Sequence, residues 1–206
     1  PPRSTLFPYT TLFRSFITLC EVSPGVIWAG GYTSGIYKIN KKTLSVEYFS
    51  PYLLSHVNMR PDKYIRDIVK DSRGYIWSGG YYNLKCFDLE TNNARLYPGL
   101  NSITSIVEKD KDNMWIGTAI GVYLLNRNTG EYQYIEMEIG ITYINTLYQA
   151  DNGLLYIGTN GMGVFIYNPQ NMTFEHYFSD NSALVSNRIF TILPEVDGRI
   201  DRKSVV

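Results

Sequence analysis

The sequence is poor in reactive side chains. Cys20 and Cys86 are its only cysteines in 206 residues. Two thiols are too few for a disulfide framework, and without CxxC spacing they read as core or surface fillers rather than a metal or redox site. Histidine is equally scarce. His56 and His176 fall in different parts of the chain, and no zinc-ligand spacing accompanies either. Charge is thin, at 18% of residues, and nineteen basic side chains against nineteen acidic ones leave no net charge. That balance lacks the electrostatic footprint of a nucleic-acid or polybasic membrane binder. No apolar run reaches the roughly 18 residues of a membrane span, and no charged-then-apolar leader opens the chain. Any anchor or export signal is therefore expected outside it.

What is present in quantity is aromatic: 18 tyrosines, 9 phenylalanines and 3 tryptophans. With β-branched residues these favour pleated, half-buried surfaces, and no segment longer than about two turns shows helical periodicity. One stretch recurs four times: "GVIWAGG" at Gly25, "GYIWSGG" at Gly74, "NMWIGT" at Asn113 and "GLLYIGT" at Gly153. Its anchors Trp28, Trp77, Trp115 and Tyr156 lie at intervals of 49, 38 and 41 residues. Gly30, Gly79, Gly117 and Gly158 follow two positions later, and Leu19, Ile68, Ile106 and Leu147 stand nine positions before.

Each copy reads as four short strands separated by Gly/Asn/Asp turns. The glycines do not mark a nucleotide loop. No helix follows any copy, and "GTNGMG" at Gly158 departs from G-x-G-x-x-G spacing, so no cofactor is expected. Four-stranded units at this period, none able to bury both faces alone, predict an all-β fold, a partial β-propeller. The expected blades are at about 16–49, 65–97, 103–135 and 144–178, with the start of a fifth at 187–200. The anchors are expected to pack between adjacent blades. Residues 1–15 and 201–206 share no pattern with the repeat and resemble sequencing-adapter DNA read through as protein, so both are set aside as non-native.

The pattern I-x-x-D-x-x-G-x-[IL]-W-[IV]-G-T-x-x-G-[LV]-Y, running through residues 16–200, resembles two-component regulator propeller repeats. Tyr156 in place of Trp and Asp112 in place of the turn glycine depart from it. The resemblance implies a sensor segment of a hybrid two-component regulator, in the periplasmic region of an inner-membrane protein. An oligosaccharide would be its ligand, a homodimer its intact state, and a histidine kinase absent from this chain its output. No nucleic-acid partner is implied. A protein-binding scaffold, or a propeller lyase, is the alternative.

Enzymatic groups are few, so the segment is read as non-catalytic and metal-free. Asp110 and Asp112 lack the closing Glu of a calcium loop and read as turn acids. Binding is easier to place. Loops joining second to third strands, and loops between blades, are held by rigid strands yet free to vary. They carry Tyr32, Tyr81, Tyr82, Asn83 and Asn160, and the long first inter-blade segment carries Tyr52, His56 and Arg60. Aromatics beside amides suit sugars, whose apolar faces stack while their hydroxyls take hydrogen bonds.

Overall fold

The computed structural model describes residues 16–33, 35–49, 62–137, 140 and 142–194. It is all-β, and its four-stranded sheets are the blades of a partial β-propeller. Among the described residues no helix is long and apolar enough to cross a membrane.

The chain divides into two compact units, 1–100 and 101–206. In the first unit, β1 (Phe16–Ser23), β2 (Val26–Gly31), β3 (Gly35–Asn40) and β4 (Val46–Phe49) form one antiparallel sheet in chain order. A second sheet joins β5 (Ile65–Lys70), β6 (Ile76–Gly80), β7 (Leu84–Asp88) and β8 (Asn93–Tyr97). The second unit repeats the plan. Its sheets are β9 (Ile103–Glu108), β10 (Asn113–Thr118), β11 (Gly121–Asn126) and β12 (Tyr132–Ile135), then β13 (Ile144–Gln149), β14 (Leu155–Thr159), β15 (Val164–Asn168) and β16 (Thr173–Tyr177).

Short-range chemistry explains the hairpins. Gly25, Gly74 and Gly153 take positive φ in the turn after the first strand of their sheets, where a side chain would be strained. The third sheet has Asp112 there and closes the turn differently. Asp110 Oδ1 accepts the backbone N–H groups of Asp112 and Asn113, at 2.8 and 2.9 Å. The turn after each third strand begins with Asn40, Asp88, Asn126 or Asn168, whose side-chain oxygen accepts a backbone N–H two residues on. Four residues after each of these the backbone is left-handed, at Leu44, Asn92, Gly130 and Met172.

The cores form where one sheet faces the next within a unit. In the first unit Trp28 packs with Ile36 and Phe49 of its own sheet and with Ile65, Ile68, Ile76 and Phe87 of the next. In the second, Trp115 packs among Ile144, Leu147, Leu155, Ile157, Phe165 and Tyr167. Its indole N–H donates to Gln149 Oε1 at 2.6 Å. Trp77 is buried as well, but its indole N–H is held inside its own sheet by Asp71 Oδ2 at 2.7 Å. The glycine two residues past the anchor allows the next segment to approach. A Cβ on Gly30 would lie 2.5 Å from Ile65, one on Gly117 2.9 Å from Ile144, and one on Gly158 2.8 Å from Ile189. Gly79 is buried in β6.

Two anchor-register positions behave differently from their counterparts. Leu19 is 66% exposed, whereas Ile68, Ile106 and Leu147 are buried. Ile68 and Leu147 lie on faces that pack against the preceding sheet of their unit, and no described sheet precedes β1. Tyr156 is half-buried rather than sealed, and its phenol is pushed up in pKa by that burial and by Glu175 and Tyr148. Beyond β16, Arg188 bridges Asn160, and Ile189 and Ile192 are buried. Residues 195–200, the rest of the expected fifth repeat, lie outside the described residues.

One further repeat in space is invisible as a spacing in sequence. The hydroxyl of Thr18 accepts the backbone N–H of Ile68, and that of Ser105 accepts the backbone N–H of Leu147. In both units a polar residue of one first strand is thus stitched to the next first strand, satisfying a buried donor that the ladder leaves free. Each first strand also carries a register shift near its start: between Phe16 and Thr18, Ile65 and Asp67, Ile103 and Ser105, and Ile144 and Thr146. Bulges of this kind re-aim side chains at strand ends.

Candidate ligand site on the first unit

The short segment Asp62–Tyr64, just before β5, ties the loop ends of both sheets in the first unit. The carbonyl of Lys63 accepts the N–H of Gly35 at 3.0 Å, and that of Tyr64 accepts the N–H of Tyr81 at 3.2 Å. Asp62 anchors the segment: its Oδ1 accepts the N–H of Tyr64 at 3.0 Å and its Oδ2 the N–H of Tyr82 at 2.9 Å.

These bonds align four tyrosines in a chain of edge-to-face contacts. Ring centroids are 4.7 Å apart for Tyr32 and Tyr64, 6.4 Å for Tyr64 and Tyr81, and 4.9 Å for Tyr81 and Tyr82. Tyr32, Tyr81 and Tyr82 are exposed, Tyr81 by 57%. Tyr64 is half-buried, and its phenol is raised in pKa, first by burial and then by its hydrogen bond with Tyr32, while Arg66 draws it down. An edge-to-face contact covers one face of one of its two rings and leaves the remaining faces free of that contact, and rigid phenols present area at low entropic cost.

Of the residues expected from sequence to bind ligand, Tyr32, Tyr81 and Tyr82 thus come together, with half-buried Asn83 next in the same turn. Asn160 lies in the second unit, where its Oδ1 accepts the Arg188 Nε–H at 2.6 Å. Tyr52, His56 and Arg60 lie outside the described residues. His176, on β16, stacks on Phe165 at 3.9 Å and 9° with its Nε2 2.6 Å from the Met162 carbonyl oxygen, a packed and bonded side chain. Among the described residues no three His, Cys, Asp or Glu side chains are grouped to hold a metal.

Asp62, Tyr64, Ser78 and Lys85 were not among the residues singled out from sequence. Lys85 lies in "LKCFDL", read as an apolar strand, and a lysine in such a run was the signal that could have found it. In the second unit a groove of about 260 Å³ is lined by Lys109, Asp110, Gln149, Asn152 and Asn168 among others. Its polar groups are engaged locally: Lys109 pairs with Asp110 at 3.0 Å, and Gln149 accepts from Trp115. The tyrosine chain is the stronger candidate.

No family profile and no curated protein matches the chain. Its fold is similar to the extracellular domain of BT4673 from B. thetaiotaomicron, described in one structure as a one-component and in another as a hybrid two-component system. The TM-scores are 0.77 and 0.75 at 20% identity, covering 97% of this chain and 27% and 26% of those. The extracellular domain of BT3049, described as a hybrid two-component system of the same organism, gives 0.72 at 19% identity over 90% of this chain and 25% of its own. Virginiamycin B lyase from Staphylococcus aureus gives 0.69 at 13% identity over 90% of this chain and 62% of its own. The chain therefore spans about a quarter of the length of the BT4673 and BT3049 domains. At these identities the likeness is one of fold.

Proposed function

We propose that the chain is a ligand-sensing propeller segment from the extracytoplasmic sensor of a hybrid two-component regulator, that it responds to an oligosaccharide, and that it acts without catalysis of its own. The tyrosine chain on the first unit carries this reading. Three exposed phenols and a half-buried fourth, held by backbone N–H groups that donate to the Asp62 carboxylate and to the Lys63 and Tyr64 carbonyls, make a preformed aromatic platform. Such a platform suits a sugar, whose C–H faces stack on rings while phenol hydroxyls and the neighbouring Asn83 amide meet its hydroxyls. The fold of the extracellular domains of BT4673 and BT3049 supports the sensor context.

In the intact protein the remaining blades would complete the sensor, placed in the periplasm, and a homodimer would pass occupancy to a histidine kinase. Such coupling requires two global states that the ligand binds unequally. Calorimetric titration of the full chain with pools of oligosaccharides tests the reading. A saturable heat with at least one pool, weakened by Tyr81→Ala, is the expected result. Absence of heat across the panel, from protein whose circular dichroism shows a folded sheet, would overturn it.

A further inference from the structure

Beneath the tyrosines lies a polar cluster that sheet packing does not require. Lys85 is 3% exposed and its ammonium stands 3.5 Å from Asp62 Oδ2; Ser78 is 0% exposed. Neither Lys85 Nζ nor Ser78 Oγ has a hydrogen-bond partner among the described residues. The two side chains share one face of the sheet, because Ser78 on β6 is the cross-strand partner of Lys85 on β7.

The other three sheets fill the same pair of positions with aliphatic and aromatic side chains: Ala29 with Tyr37, Ile116 with Tyr123, and Ile157 with Phe165. The fold is thus met three times without a charge there. A buried ammonium has three N–H donors to satisfy, and an orphaned hydroxyl adds another polar group whose desolvation costs stability. Asp62 alone is a poor match, since only its Oδ2 approaches the ammonium, at 3.5 Å, and that oxygen also accepts the Tyr82 N–H. Burial pulls the Lys85 amine below its usual range, against the opposing influence of Asp62. A cluster of this kind needs a further oxygen.

We propose that Lys85, Ser78 and Asp62 form a binding subsite, joined to the tyrosine segment through the Asp62 carboxylate, that takes one hydroxyl group of a neutral sugar. The inference rests on the reading that the four tyrosines carry the ligand. A hydroxyl oxygen accepts an N–H from Lys85 and exchanges a second hydrogen bond with Ser78. The four-carbon stem of Lys85 lets the ammonium move outward to meet it. A carboxylate would place a second negative charge beside Asp62 in a region of low dielectric, which disfavours a uronic acid.

The test is calorimetry of the full chain against neutral oligosaccharides and a matched set of uronic-acid oligosaccharides. It compares the parent protein with Tyr81→Ala, Ser78→Ala and the charge-free pair Lys85→Met with Asp62→Asn. The parent is expected to bind a neutral member, Ser78→Ala to weaken that binding without lowering the thermal midpoint, and the charge-free pair to weaken it about tenfold or more. If the charge-free pair fails to fold, Ser78→Ala decides alone. Binding lost in Tyr81→Ala but unchanged in Ser78→Ala and the charge-free pair overturns the subsite and leaves the tyrosine reading standing. Preference for the uronic set overturns the neutral-hydroxyl assignment. No binding to either set overturns the tyrosine reading and the subsite together.

Discussion

A Cβ atom built on Gly80 would lie 1.6 Å from the carbonyl oxygen of Tyr64. The segment that brings Tyr64 to Tyr32 and Tyr81 can therefore cross the end of β6 only over a glycine. The obstacle is backbone, which cannot rotate away as a flexible side chain would. Gly80→Ala is expected to push the segment off the sheet, break the Tyr81 N–H to Tyr64 bond, and cost about 1–3 kcal/mol as an overpacking change. Urea unfolding with the near-ultraviolet tyrosine signal as a second probe measures both effects. An unchanged midpoint with an unchanged tyrosine signal would show that the contact is not as tight as the geometry has it.

Trp115 is the second quantitative case. It is 1% exposed, surrounded by side chains of the next sheet, and bonded through its indole N–H to Gln149. Trp115→Ala is expected to cost about 3–5 kcal/mol, and a loss below about 1 would place it at a surface. Tyr156→Ala should cost less, because that ring is only half-buried.

The architecture was legible because its determinants are periodic. A Trp or Tyr every forty or so residues, with a glycine two positions later and turn residues at fixed offsets, constrains strand order and packing face together. Contacts that exist once were not legible. Asp62 and Lys85 are 23 residues apart in chain and become neighbours only because Asp62–Tyr64 bonds to the turn that joins β6 to β7. Spacing carries no trace of that. Leu19 shows the opposite failure: it keeps the repeat register of Ile68 and Leu147, yet register does not reveal that no described sheet covers its face.

Four equivalent turns predict where stability can be gained. Leu44, Asn92, Gly130 and Met172 share one left-handed position, and Asn and Gly are the residues suited to it. Met172 is 76% exposed and makes no core contact to lose. Met172→Gly is expected to raise stability by roughly 0.5–1 kcal/mol, relief of backbone strain exceeding the added entropy of glycine in the unfolded chain. Asn92→Ala should lower stability by a comparable amount. Chemical denaturation of the two single variants checks the pair, and equal midpoints would mean the turns do not hold that conformation in solution.

Lys85 predicts a pH dependence whose sign is opposite to that of a lysine gaining a strong partner. Burial lowers its folded-state pKa below the ordinary 10.5, so over the interval between the two values the unfolded chain holds more protons than the folded one. Stability then rises with pH through that interval, and the penalty of burying the charged amine is fully present below it. Tyrosines with raised folded-state pKa, Tyr64 among them, act against folding once the unfolded phenols ionise, so the comparison belongs below about pH 10. In guanidinium-free thermal melts from pH 7 upward, the parent protein is expected to gain stability relative to the Lys85→Met with Asp62→Asn pair. Parallel pH profiles for the two proteins would mean that the Lys85 amine titrates in the folded state as it does in the unfolded chain, and that the cluster is not closed to water.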